Sequence, residues 1–174
     1  QPPGVWEGVS FGKKRYRQDT GDKLYRRSLY TFWRRIIAPT MFFDVASRQT
    51  CTVKQARTNT PLQALLTLND VTYVEAARVL AERALKEGGE EDSARLLHVF
   101  SQVLARPPGS QEQAIFLGGL QRSRSEFSKD VEQAKALLSV GESKRNEDLD
   151  PAEHASWTAL CLAVLNLDET LNKE

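Results

Sequence analysis

The sequence predicts a mainly α protein, a bundle of about six or seven helices with an irregular, basic, aromatic-rich N-terminal third. From residue 60 onward, apolar residues recur at helical spacing and are preceded by helix start signals. The 174 residues are 40% hydrophobic and 27% charged, the composition of a soluble globular domain. No apolar run approaches the roughly 20 residues that cross a bilayer, so no membrane span is expected.

Helix start signals recur four times in the second part of the chain. Thr60-Pro61-Leu62-Gln63 has the form of a capping box, in which the Thr hydroxyl and the Gln side chain satisfy each other's backbone amides. The segments that begin at Thr72, Ser110 and Asp150 repeat this pattern. Together they predict helices over about 61–68, 72–87, 111–128 and 151–166.

Two further helices are predicted from apolar stripes. The first, about 92–105, is assigned the stripe Ala94, Leu97, His98, Ser101 and Leu104, and Pro107-Pro108 ends it. The second covers about 129–140. The polar stretch 141–150 is expected to be an exposed loop, and the unusually apolar last helix is expected to be central to the core.

The N-terminal part differs from the rest in charge and in aromatic content. Residues 1–60 carry 12 basic and 4 acidic side chains, whereas residues 61–174 carry 12 basic and 19 acidic ones. Nine of the fourteen aromatic residues lie between Trp6 and Phe43. The segment from Asp22 to Ile37 predicts a basic amphipathic helix, although its aromatic and β-branched residues also suit a strand.

This charge division has two interpretations. In the first, the basic part lies against the acidic remainder or against another part of a longer protein. In the second, it binds an acidic polysaccharide or other polyanion, because clustered cations concentrate such ligands. Nucleic acid is not an expected partner. The candidate polyanion-binding residues are Lys13, Lys14, Arg15, Arg26, Arg27, Arg34 and Arg35.

The sequence predicts no catalytic residue, metal site or cofactor. A zinc site of Cys and His alone would need both cysteines and both histidines, and their spacing argues against it. Cys161 is expected to be a buried structural residue, and whether it pairs with Cys51 in an oxidising compartment stays open. Gly118-Gly119 is interpreted as a close packing point or a kink. No known catalytic motif occurs.

The polar connector before the first capped helix also has two interpretations. Its residues Arg57, Asn59 and Thr60 either satisfy backbone groups at the helix end or form a rim for an anionic or sugar ligand. The missing initiator Met and missing signal peptide predict a mature fragment or an excised domain.

Several long motifs carry a family resemblance: QPPGVWE, LYRRSLYTFWRR, CTVKQARTNTPLQALLTLND, ARPPGSQE and LNLDET. Through them the chain resembles a planctomycete-type C-terminal domain of unknown function. The resemblance implies a large exported protein, periplasmic or in the cell envelope, that often also carries a planctomycete cytochrome c-like domain. It supplies no catalytic residues. The association of such proteins with sulfatases and polysaccharide breakdown adds the expectation of a glycan-related role.

We therefore expect a single domain over 1–174, with a basic part (1–60) and an acidic helical part (61–174), that forms the C-terminal fragment of a longer protein. Its expected function is that of a non-catalytic structural or interaction module, whose partners are other domains of the same protein. The alternative is binding of an acidic glycan through the basic part.

Overall fold

A computed structural model of the chain describes residues 7, 11–13, 15, 17, 19–25 and 60–171. The chain divides into two units, Gln1–Gln63 and Ala64–Glu174. In the first unit, Gly21–Leu24 forms a short 3₁₀ helix. The part from residue 60 onward contains α1 (Pro61–Asn69), α2 (Val71–Glu87), α3 (Asp92–Leu104), α4 (Ser110–Lys129), α5 (Val131–Leu138), α6 (Pro151–Leu165) and α7 (Asp168–Leu171).

The mainly α class is confirmed. All six helices predicted after residue 60 are present, and their ends differ from the predicted ones by two residues or fewer. The short helix α7 was not predicted. The described residues contain no strand and no helix that is long and apolar enough to cross a membrane. Residues 26–37, which form most of the predicted basic helix, lie outside the described residues, so that helix and the irregular character of the N-terminal third stay predictions.

Two of the predicted helix starts are confirmed at the level of individual hydrogen bonds. At α1, the Thr60 amide donates to Gln63 Oε1 (2.7 Å) and the Gln63 amide donates to Thr60 Oγ1 (3.3 Å), which is the reciprocal capping box. At α6, Asp150 Oδ1 accepts from the Glu153 amide (2.9 Å), with Pro151 in the first turn.

The other two predicted caps were wrong by one or two residues. Asp70, not Thr72, caps α2, because its carboxylate accepts from the Thr72 amide at 2.9 Å and so places Thr72 inside the helix. At α4, Gly109 is the cap and Ser110 is already helical. Because Gly109 has no side chain, only half of a capping box forms there, with Glu112 Oε2 accepting from the Gly109 amide at 2.7 Å.

The core of the second unit is built around α6, as expected. Its buried apolar residues Trp157, Leu160, Cys161 and Val164 are 5% exposed or less. They share one cluster with Ala77, Ala81 and Ala84 of α2, whose small side chains let the two helices pack closely. Phe100 of α3 completes this cluster and meets Phe116 of α4 edge to face, with ring centroids 5.4 Å apart.

The predicted stripe on α3 was wrong in part, since Leu104 packs against the core cluster but most of the other predicted members do not. The side chains that enter the core are Leu96, Val99 and Phe100, all fully buried. Leu97 is 45% exposed, and Ala94 and Ser101 also face solvent. The buried stripe is therefore rotated from the predicted one, because the run Leu96 to Phe100 offers two overlapping apolar faces and the neighbouring helices α2, α4 and α6 determine which of them is covered.

The interpretation of Gly118-Gly119 as a close packing point was also wrong. A Cβ built at Gly118 meets no atom of the described residues within 4 Å, and the nearest such atom at Gly119 is Arg122 Nη2 at 3.9 Å. Gly118 lies on the exposed side of the long helix α4. The glycine therefore costs helix stability there with no packing gain.

The substitution Gly118→Ala should stabilise the protein by about 0.5–1 kcal/mol, because alanine restricts the unfolded chain and favours the helix. Gly88→Ala is the matched control and should destabilise, since its Cβ would lie 2.5 Å from the Ala84 carbonyl oxygen and 2.9 Å from Arg95 Cα. Urea unfolding monitored by far-UV circular dichroism measures both changes. Destabilisation by Gly118→Ala would show that the position is packed.

Candidate functional site

The main buried polar site of the second unit lies where the loop 141–150 crosses α2. We call its four residues, Glu75, Arg78, Ser143 and His154, the polar cluster. Arg78 Nη2 donates to the Ser143 carbonyl oxygen (2.7 Å) and to Ser143 Oγ (2.6 Å), while Glu75 Oε1 accepts from the Ser143 amide (2.7 Å). Arg78 is 1% exposed and Glu75 is 8% exposed. These bonds fasten the loop to the helix.

Local sequence explains how α2 presents these two charges. Glu75 and Arg78 are three residues apart, so they share one helix face, and their side chains come within 3.6 Å. On the loop, Gly141 has a φ of +98°, a backbone conformation that favours glycine. A Cβ at Gly141 would also lie 2.5 Å from the Glu75 carboxyl carbon. The loop therefore approaches Glu75 closely only because residue 141 has no side chain.

His154 joins the polar cluster from the first turn of α6 through the backbone of Arg78. Its ring is fully buried, and Nε2 lies 3.1 Å from the Arg78 carbonyl oxygen. Because a carbonyl only accepts, we assign the proton of the neutral ring to Nε2, which leaves Nδ1 as an acceptor without a hydrogen bond from the described residues.

The surroundings of His154 favour the neutral ring. Burial lowers the pKa of His154, and the positive charges of Arg78 and Arg145 lower it further. The hydrogen bond to the Arg78 carbonyl and the negative charge of Glu82 act in the opposite direction but do not outweigh burial. His154 is therefore a buried structural donor near neutral pH.

The expected exposed loop 141–150 needs a partial correction. It has no regular secondary structure, as predicted, and Glu142, Lys144 and Asp148 are exposed. Ser143, Arg145 and Asn146, however, are half-buried. Polar residues turn inward because α2 supplies charged partners beneath the loop, which the loop's own composition does not reveal.

Two ion-pair networks join the helices elsewhere. Arg124 of α4 binds Asp92 of α3 and Glu153 of α6, and Glu153 also accepts from Trp157 Nε1 at 2.9 Å. The hydrogen bond from Arg124 lowers the pKa of Asp92. Because the Glu153 carboxylate binds Arg124 and Trp157, it does not accept a hydrogen bond from the Asp150 amide, which would be the second half of a capping box at the start of α6.

The second network joins the α3–α4 connection to α7. Arg106 binds Glu112 (2.8 Å) and Glu169 (2.6 Å), and its guanidinium lies over the Phe100 ring at 5.6 Å from the centroid. The hydrogen bond from Arg106, together with that from the Gly109 amide, lowers the pKa of Glu112 to about 2. These carboxylates are ionised and paired, which suits cross-linking of helices rather than proton transfer.

The described cysteine and histidines do not assemble into a reactive site. Cys161 is a fully buried free thiol, and burial raises its pKa, so it is not a nucleophile in this fold. His98 has a 19% exposed side chain, 3.9 Å from Glu87. The described part of the chain contains no group of three or more His, Cys, Asp or Glu residues that could hold a metal ion.

The structure describes only some of the residues predicted to bind ligands. Lys13 and Arg15 are exposed, and Thr60 acts as the structural cap of α1. Cys51, whose pairing with Cys161 the sequence leaves open, lies outside the described residues. The other predicted ligand-binding residues also lie outside them: Lys14, Arg26, Arg27, Arg34, Arg35, Arg57 and Asn59. Their assignment to polyanion binding or to a ligand rim stays a prediction.

Sequence reasoning missed the polar cluster, although one signal for it was present. Arg78 lies in line with Val74 and Ala81 on the buried stripe of α2, where a charged residue needs a partner. The partner Ser143 is 65 residues away, in a stretch with no pattern of its own. An arginine within an apolar stripe therefore predicts a buried polar contact, but not where that contact is made.

The fold and its internal polar networks define an all-helical domain in the described range 60–171, with charged groups used to join helices and to hold a loop. Residues 2–119 match the PSD1 family, described as a protein of unknown function (DUF1553). This match covers more than half of the chain, so the chain belongs to the PSD1 family. Neither the curated proteins nor the solved structures include a significant match.

Replacing Arg78 tests the energetic role of the polar cluster. Arg78→Ala should destabilise the protein by about 3 kcal/mol, because it leaves buried acceptors of Glu75 and Ser143 without their cationic donor. Arg83→Ala is the control on the same helix, since Arg83 is 48% exposed and its pair with Glu87 is worth at most about 0.5 kcal/mol. Urea unfolding measures both, and equal effects of the two substitutions would contradict a stabilising cluster.

Proposed function

We propose that this chain is a non-catalytic interaction module of a larger exported protein, of the planctomycete type that also carries a cytochrome c-like domain. The described titratable groups with shifted pKa values support a non-catalytic role, because burial or ion pairing explains most of those shifts. The surface of α1 supports an interaction role.

Helix α1 has the composition of a contact surface. Its nine residues, PLQALLTLN, carry no charge, and three of its leucines remain in solvent: Leu62 is 60% exposed, Leu65 58% and Leu68 39%. The three leucines are spaced three residues apart, which places them on one side of the helix. Single exposed apolar residues are ordinary, whereas three on one short uncharged helix indicate a surface that a partner covers. This exposed leucine surface is the observation that carries the proposal.

The proposed partner is another domain of the same longer protein. Permanent interfaces are more apolar than transient ones, and the leucine surface is apolar with no charged residue on its helix. The contact between Thr67 Oγ1 and Asn166 Oδ1 (2.6 Å) holds the buried side of α1 against the end of α6 and so keeps the leucines outward. A fixed helix with an outward apolar side is suited to lasting assembly within one polypeptide.

Site-specific photo-crosslinking in the complete natural polypeptide tests this proposal. A photoreactive residue at Leu65 should form a crosslink to a segment outside residues 1–174, identified by mass spectrometry. The same residue at Val79, which is 42% exposed on α2, is the control and should give at least about tenfold less of that product. Equal yields at both positions, or no product from position 65, would argue against an assembly surface on α1.

A second candidate function is binding of an acidic polysaccharide through the basic N-terminal part. The described residues Lys13, Arg15, Arg17 and Lys23 are all exposed, and Arg17 and Lys23 line one open depression together with Asp19 and Thr20. Closely spaced exposed cations attract sulfate and carboxylate groups, with a strength that falls as salt screens them.

Binding to a sulfated glycan should weaken strongly between about 50 and about 300 mM salt if this second function holds. Isothermal titration calorimetry with heparin measures it. Replacing Lys13, Arg15 and Arg17 together by Gln should weaken binding at low salt, whereas replacing the exposed Lys86 and Lys135 of the second unit by Gln should leave it unchanged. No binding at low salt, or equal effects of both sets, would rule out this function.

A further inference from the structure

We propose that the loop 141–150 is a pH-sensitive latch, held on α2 while His154 is neutral and released when the His154 ring takes up a proton. This inference does not depend on the proposed function. It rests on the contact between the buried ring and the Arg78 carbonyl and on the bonds that hold Ser143. Both depend on Arg78, whose carbonyl contacts the ring and whose guanidinium binds the loop.

In the latched state, the described residues offer no hydrogen-bond acceptor for a second proton on the His154 ring. Nε2 already donates to the Arg78 carbonyl, so protonation adds a proton at Nδ1. Nδ1 is buried, and the described residues offer it no hydrogen-bond partner. A buried donor without an acceptor, on a ring that has just become charged, costs free energy until the ring reaches water.

The charged groups around the ring do not compensate this cost. From α2, Arg78 opposes the new charge and Glu82 favours it, but Glu82 is already paired with Lys86 at 2.7 Å. From the loop, Arg145 opposes it. Protonation therefore adds a third cation to a site whose nearest carboxylate is already shared.

The adjoining helices do not supply a free anion either. On α6, Asp150 caps the helix and Glu153 binds Arg124. On α5, Glu132 and Lys135 pair with each other at the surface (2.8 Å). The ring also lies in the first turn of α6, where the helix dipole disfavours positive charge. Among these groups only Glu82 favours the protonated ring, and Glu82 is already paired with Lys86.

When His154 is protonated, the loop detaches from α2 and the helices stay together, because the loop is attached by polar contacts rather than by an apolar core. Glu75 and Arg78 hold it through Ser143, whereas α2 and α6 are joined by the fully buried apolar core. Releasing the loop hydrates the ring and replaces a few hydrogen bonds by water, but separating the helices would expose Trp157 and Leu160.

The direction of the pH effect follows from the lowered pKa of His154. In the released state the hydrated ring regains an ordinary pKa of about 6.5, above its value in the latched state. The released state therefore binds more protons, and latch stability is full above that ordinary pKa and falls as the pH decreases below it.

Hydrogen exchange at the Ser143 amide tests the latch in the intact chain, because that amide is bound by Glu75 Oε1 in the latched state. Its protection, corrected for the intrinsic exchange rate, should be progressively lost between pH 7.5 and pH 5.0, because the released state binds a proton more readily than the latched state. Core amides of α2 and α6 should keep their protection, which distinguishes release of the loop from global unfolding.

The two histidines of the chain provide a matched pair of variants. His154→Gln retains an amide donor for the Arg78 carbonyl but does not titrate, so it should abolish the pH dependence. His98→Gln should leave it unchanged. Constant protection in the natural chain, or a fall that persists in His154→Gln, would overturn the latch.

A direct titration covers the case in which His154→Gln does not fold. Two-dimensional NMR of the natural chain gives the pKa of each histidine ring separately. A His154 pKa below the ordinary value of about 6.5 supports the latch. A His154 pKa at or above the ordinary value would overturn it, because the latched state would then gain stability, or lose none, on protonation.

Discussion

The burial of most of α6 is the constraint on which the described helical unit depends. Trp157, Cys161 and Val164 enter the apolar cluster, while Ala155, Ser156 and Thr158 on its other sides are fully buried as well. Buried polar side chains of such a helix must be satisfied internally. Ser156 donates to the Ala152 carbonyl (2.6 Å) and Thr158 to the His154 carbonyl (2.8 Å), so neither hydroxyl needs water. The surrounding helices are arranged by the need to cover this one.

Most of the helical fold could be predicted because its determinants are local. Thr60 with Gln63 and Asp150 with Glu153 define helix starts within four residues, and the structure shows these hydrogen bonds. The caps at α2 and α4 could not be located as well, because Asp70 and Gly109 compete with the neighbouring Thr72 and Ser110 for the same role. The choice between such neighbours depends on how the preceding chain enters the helix.

Features that depend on tertiary contacts could not be predicted. The apolar run of α3 contains two overlapping stripes, and the sequence alone favoured the one with Leu97, which the structure leaves largely exposed. The bond between Arg78 and Ser143 joins positions 65 residues apart, and no spacing rule connects them. Of the residues predicted to bind a polyanion, Lys13 and Arg15 are described and exposed, which is compatible with binding but does not test it.

The order of the helices along the chain has a consequence for protein synthesis. The family match ends at residue 119, within α4, whereas the helix that fills the core spans Pro151–Leu165. On a translating ribosome, α2 and α3 emerge early and leave Ala77, Ala81 and Phe100 without their partner until the residues of α6 follow. The apolar surfaces of α2 and α3 therefore stay partly uncovered over that interval, which is when a nascent polypeptide is most exposed to aggregation.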